Sequence, residues 1–189
     1  MINQNIRLFD ILISILMLLI FSPLMIIISF ILIVTNGSPI IFSQIRVGYR
    51  GRKFNIFKFR TMSQLYFKDE KLRLTYLGKI LRKSSLDELP QLINVLNKDM
   101  SLVGPRPLPE KIENKIANSI KIKRRNILPG ITGMSQINYT GKNRKLDEKI
   151  NLDLLYIENY NLYNYFKILL KTPLVLVSRF FKNKSSIIK

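Results

Sequence analysis

Apolar positions run without a single charge from Ile11 to Val34, and no later stretch of the chain repeats that pattern. At ~1.5 Å per residue these roughly 24 residues reach about 36 Å as a helix, enough to cross a bilayer core. The run is too long for a secretory signal and no small-residue cleavage site follows it, so it is expected to stay as a membrane anchor. Ser22-Pro23 falls near its middle. Proline lacks an N–H and collides with the preceding turn, freeing a carbonyl near Leu19 that the Ser22 hydroxyl can satisfy. Two geometries fit: a kinked helix that spans, or a sharply bent one that returns to the face it entered. Hydropathy alone favours the kinked span. Arg46, Arg50, Arg52, Lys53, Lys58 and Arg60 come next and place the following domain on the cytoplasmic side in either geometry.

Beyond the anchor the period shortens to that of strands. Ile40, Ile41, Phe42 and Ile45 precede Gly48-Tyr49-Arg50-Gly51, and Phe54, Ile56, Phe57 and Phe59 follow it, partly alternating with Asn55, Lys58 and Arg60. This predicts a β-hairpin over 39–61 with Lys58 and Arg60 on one polar face. Residues 63–71 are polar and predict a loop. Leu72, Leu74, Leu77, Ile80 and Leu81 predict a short amphipathic helix ending near Ser84. A second helix is expected from Asp87, where Pro90 at the third helical position costs no hydrogen bond. An earlier start at Ser85, as a capping box, would put Pro90 where its N–H is needed. One basic helix is expected within 107–126, a tight turn at 129–133, a strand over 134–139 and a helix around Leu152–Tyr160. A basic, aromatic amphipathic helix is expected over 162–181, suited to lying in the headgroup layer. The tail over 182–189 is basic and frayed.

Composition narrows the chemistry. The 189 residues carry a net charge of +19, which draws nucleic acid, anionic lipid or phosphorylated small molecules but by itself selects none of them. There is no cysteine and no histidine. That excludes thiolate sites, His-ligated zinc and Ser-His-Asp catalysis, leaving Asp, Glu, Lys, Arg, Tyr, Ser and Thr with an oxygen-preferring metal such as Mg²⁺. No helix-turn-helix, zinc module or RNA-binding motif is evident, so no nucleic-acid partner is expected.

Three Asp-Glu pairs occur. Asp69-Glu70 and Asp147-Glu148 sit beside lysines and look like surface charge. Asp87-Glu88 is flanked by Leu86, Leu89 and Pro90 instead. A carboxylate there can simply compensate the helix dipole. Its company supports a second reading. Arg82 lies five residues before Asp87, and Arg106 is held between Pro105 and Pro107, ready for a bidentate grip on phosphate. Asp can act as nucleophile through an acyl-phosphate, while Glu88 can help hold Mg²⁺.

FDILISILMLLIFSPL, FSQIRVGYRGRKFNIFKFRTM, LGKILRKSSLDELPQLINVLNKDMSLVGPRPL, LPGITG and LKTP carry a wider resemblance, covering roughly residues 7–173. In them the chain resembles the bacterial sugar transferases, in the minimal form of the monotopic polyprenyl-phosphate phosphoglycosyl transferases. The resemblance implies a membrane-embedded monotopic enzyme of α/β class, mostly helical with a short β-hairpin. Residues 1–36 would form a re-entrant helix-break-helix at Ser22 and Pro23, which displaces the kinked span favoured by hydropathy. Residues 37–181 would form a cytoplasmic-face catalytic domain with interfacial helices, and 182–189 a basic tail. It further implies transfer of a phosphosugar from a UDP-sugar to undecaprenyl phosphate with release of UMP, beginning surface polysaccharide synthesis at the bacterial inner membrane. Asp87 would be the nucleophile, Glu88 the Mg²⁺-associated partner, and Lys58, Arg82 and Arg106 the phosphate-binding cations. A homodimer and downstream glycosyltransferases are the protein partners expected, and membrane lipid the surroundings. A catalytically silent member of a glycan-assembly complex is the alternative. Departures at Met134-Ser135-Gln136 and at Lys123-Arg124-Arg125-Asn126 fall where nucleotide or sugar contacts are expected, so they leave the sugar open.

Overall fold

The uncharged run folds as one helix, α1 (Gln4–Asn36), in the computed structural model, which describes residues 3–63, 73–138 and 145–182. Asn3 caps it, its side-chain oxygen accepting from the N–H groups of Asn5 at 3.0 Å and Ile6 at 3.3 Å. Ser22 Oγ donates to the Leu19 carbonyl at 3.0 Å, the bond expected from the sequence. That carbonyl is the one whose helical donor Pro23 lacks. With it satisfied, the hydrogen-bonded element continues through Pro23. Leu8, Leu12, Leu16, Leu19, Ile20, Ile26 and Phe30 are exposed, an apolar face that suits lipid rather than water. Ile6, Asp10, Ser14, Ile28 and Leu32 are buried against the rest of the protein.

The hairpin forms as expected, β1 (Ile41–Val47) running antiparallel to β2 (Lys53–Phe59) with Ile41 opposite Phe59 and Val47 opposite Lys53. Phe54 and Ile56 join the main core with Leu92, Val95, Met100 and Leu102, while Phe59 packs with Ile28, Leu32 and Leu81. Arg60, just past β2, donates to the carbonyls of Asn36 and Gly37 and so places a cation on the exposed carbonyl end of α1.

Helix α2 (Tyr76–Ser84) begins four residues later than its hydrophobic pattern suggested, because Thr75 caps it by accepting from Gly78 N–H at 3.0 Å. The segment expected as a polar loop lies mostly outside the described residues. Helix α3 (Gln91–Leu96) buries Leu92, Asn94 and Val95. Strand β3 (Ser101–Val103) then pairs with β4 (Gly130–Thr132) in parallel, Ser101 opposite Gly130 and Val103 opposite Thr132. The tight turn expected at 129–133 is therefore a strand, since its hydrogen-bonding partner lies far away in sequence. The approach is close: a Cβ on Gly130 would stand 2.0 Å from the Gly104 nitrogen.

Two other expectations need correction. The single basic helix is split into α4 (Glu110–Glu113) and α5 (Asn118–Arg124), because the chain turns between them to bury Glu113 and Ile116. Instead of a strand, Met134–Ile137 forms helix α6, and Tyr139 lies outside the described residues. Helix α7 (Leu146–Glu158) begins six residues before its expected bounds and ends short of Tyr160, whereas α8 (Leu162–Lys182) matches its pattern. Helix α8 buries Tyr165 and Ile168 but exposes Tyr163, Leu170, Leu174, Val177 and Phe181.

Buried polar groups tie the anchor to the domain. Asp10 Oδ1 on α1 accepts from Ser101 Oγ at 2.9 Å, Leu102 N–H at 2.8 Å and Tyr165 Oη at 2.8 Å. Arg7 donates to the carbonyls of Val95 at 2.7 Å and Leu96 at 3.1 Å, placing a cation at the carbonyl end of α3. Both ends of α1 are thus held by the same domain.

Candidate active site

Asp87 and Glu88 do not open a helix. They occupy a one-turn 3₁₀ segment (Leu86–Glu88), entered from Ser85 in the left-handed conformation (φ 58). Neither sequence expectation for this start is correct: α3 begins at Gln91 with Pro90 before it, and Ser85 makes no side-chain capping bond. The tighter turn resolves the proline conflict. Its i→i+3 bonds, Glu88 N–H to Ser85 O and Leu89 N–H to Leu86 O, are complete before Pro90 is reached.

This turn forms one wall of a cavity of about 690 Å³. Asp87, Glu88, Lys58, Arg82 and Arg106 all line it, so the residues singled out from the sequence converge from β2, α2, the 3₁₀ turn and the segment after β3. Glu88 Oε1 accepts from Lys58 Nζ at 2.5 Å and from Arg106 Nη2 at 3.3 Å. Arg82 Nε donates to Thr61 Oγ1 at 2.8 Å. Arg46, Arg60, Arg73, Gln44 and Thr61 also line the cavity. From sequence, Arg46 and Arg60 had a role in membrane orientation only. The available signal was the period of two, Gln44 with Arg46 and Lys58 with Arg60, and register across the hairpin was needed to bring those faces together.

The two carboxylates are electrostatically unlike. Burial and the adjacent Glu88 charge push Asp87 up to about 6, against the opposing pull of Lys58 and Arg82. Burial also acts to raise Glu88, but Arg106 and Lys58 outweigh it and hold the carboxyl below the usual range. Among the described residues Asp87 is thus a buried carboxylate without an ion pair, beside one whose two cations hold it below the usual range. Asp147 and Glu148 are exposed in the first turn of α7, as surface charge should be, and Asp69-Glu70 lies outside the described residues.

Among the described residues no group of three or more carboxylates could by itself enclose a metal. Asp87 and Glu88 do fit the other arrangement usual for Mg²⁺, one or two carboxylates with the remaining positions left to water and substrate phosphate. The surplus of cations around them suits a polyanion entering the cavity.

Comparison with known proteins identifies the family. The profile of a family described as "Bacterial sugar transferase" matches residues 3–179. A UDP-glucose:undecaprenyl-phosphate glucose-1-phosphate transferase of Klebsiella pneumoniae is 37% identical over 193 residues, covering 95% of this chain and 41% of its own length. An undecaprenyl-phosphate galactose phosphotransferase of Salmonella typhimurium is 38% identical, covering 92% and 40%. The exopolysaccharide production protein ExoY of Rhizobium meliloti is 34% identical, covering 92% and 86%. The chain therefore spans about two fifths of the first two relatives and most of the third. With its profile matched almost end to end, the chain belongs to the bacterial sugar transferase family.

Proposed function

We propose that this chain transfers a phosphosugar from a UDP-sugar to undecaprenyl phosphate, releasing UMP and initiating a surface polysaccharide. The observation that carries the reading is the placement of Asp87, buried yet lining a cavity whose wall bears Arg46, Lys58, Arg60, Arg73, Arg82 and Arg106. The activities for which the Klebsiella and Salmonella relatives are named support it.

An Asp87 oxygen attacks the β-phosphorus of the donor, forming an acyl-phosphate bond as the bond to the bridging oxygen of UMP breaks. The lipid phosphate oxygen then attacks the same phosphorus and frees the Asp87 carboxylate. Lys58, Arg82 and Arg106 neutralise the non-bridging and leaving oxygens through both steps. Glu88 would hold Mg²⁺ together with the substrate phosphates, and the ion would supply charge neutralisation there. Glu88 also keeps Lys58 and Arg106 in place before the donor arrives.

Re-entry of α1 is the membrane geometry we propose, with the active site at the cytoplasmic face of the inner membrane. As a straight 33-residue helix α1 would measure about 50 Å. Yet Arg7 near its start and Asn36 at its end both bond to the one domain that must lie on one side of the bilayer.

The test combines the purified protein, labelled UDP-sugars, Mg²⁺ and undecaprenyl phosphate. UMP should be released, and without the lipid acceptor a phosphosugar adduct should map by mass spectrometry to the peptide containing Asp87. An adduct elsewhere, or near wild-type turnover by Asp87→Asn, would overturn the nucleophile assignment. Running the assay across UDP-sugars identifies the donor.

A further inference from the structure

Arg106 lies between two prolines, so the segment 105–107 contains a single N–H and cannot be fixed by ordinary backbone donors. Its carbonyls are held from elsewhere instead. Pro105 O accepts from Gly130 N–H at 3.0 Å, and Pro107 O from Arg46 Nη1 at 3.4 Å. Between them, Arg106 O accepts from Arg124 Nη2 at 2.8 Å.

Arg124, on α5, is itself held. Its Nη1 donates to Asp153 Oδ2 on α7, and the two side chains are only 6% and 3% exposed. The Arg106 N–H and the Ser135 hydroxyl also face the Asp153 carboxylate. Stability alone does not account for such a pair. Desolvating two charges offsets most of their attraction, and apolar residues of similar volume commonly serve the fold as well.

We propose that Arg124 and Asp153 form a clamp on the Arg106 backbone, positioning the Arg106 guanidinium over the cavity. Neither lines the cavity. They are positioning residues, acting through Arg106. The phosphate that Arg106 would meet is taken from the function proposed above; the clamp itself is a statement about the backbone.

The decisive variant replaces both charges together, R124M/D153L, which removes the clamp without leaving a buried unpaired charge. Hydrogen exchange on the full chain in detergent or nanodiscs then reads the Arg106 amide as the only exchanging N–H of 105–107. Its exchange should accelerate roughly tenfold or more, the worth of one charge-assisted bond, while the thermal midpoint stays near wild type. In UMP release, kcat/KM should fall about as far as in Arg106→Ala, and adding Arg106→Ala to R124M/D153L should cost nothing further. If R124M/D153L does not fold, Arg124→Lys serves: it keeps the charge facing Asp153 but lacks the fork that also reaches the Arg106 carbonyl. Unchanged exchange in a folded variant, or losses that multiply with Arg106→Ala, would overturn the clamp. Should wild type release no UMP from any UDP-sugar, the functional reading falls and the exchange result alone decides the clamp.

Discussion

Asp87 combines poor solvation with a demanding task. Its folded-state value of about 6 lies above the ordinary 3.8, so the folded protein binds the proton more tightly than the unfolded chain does. Stability contributed by this group is therefore full below about pH 4 and is lost as pH rises towards and through 6. The difference corresponds to about 3 kcal/mol. Asp87→Asn should accordingly raise the thermal midpoint at pH 7 while reducing turnover by several powers of ten, because covalent and electrostatic contributions vanish together. Calorimetry beside a UMP-release assay checks both signs; a lowered midpoint would contradict the buried-charge account. For the same reason kcat/KM in wild type should decline with protonation below about pH 6, and that acidic limb should shift when Glu88→Gln removes the neighbouring charge.

Elements hold the site through backbone contacts that tolerate little change. Strands β3 and β4 meet at Gly104 and Gly130, where an added Cβ would overlap the opposing backbone. Gly130→Ala should cost about 2–3 kcal/mol, seen in denaturant unfolding, and should lower activity by displacing Pro105-Arg106-Pro107, which hangs from Gly130 N–H. Ala at exposed Lys79 offers the control, with an effect under about 0.5 kcal/mol. The 3₁₀ turn shows the limit of pattern reading at this scale. Carboxylates followed by Pro90 suggested a helix start, whereas the local chain takes the tighter turn that needs no N–H from proline.

For the whole molecule, the exposed apolar surface is arranged for a membrane. The lipid-facing side of α1 and the α8 stripe of Leu170, Leu174, Val177 and Phe181 are both uncovered. Replacing Leu170 and Leu174 together by Glu should weaken vesicle binding in a flotation assay without lowering the thermal midpoint, since neither is buried. Single cysteines introduced at Asn3 and Lys53 should both react with a reagent confined to the cytoplasmic side. A periplasmic Asn3 would restore the spanning helix.

Much of this protein is legible in its amino-acid order alone. The uncharged run, the hairpin, α7 and α8 follow from local periodicity, and the missing His and Cys exclude imidazole and thiolate chemistry. Arg82, Asp87, Glu88 and Arg106 stand out by residue type and spacing, and Lys58 through the resemblance. What local pattern cannot supply is pairing at long sequence separation. The β3–β4 ladder joins Ser101 to Gly130, and the clamp joins Arg106, Arg124 and Asp153; neither leaves a periodic trace along the chain. The strength of the charges is equally out of reach. Whether Asp87 is an ordinary surface acid or a buried one titrating near 6 depends on the solvent excluded around it, and only the tertiary packing decides that.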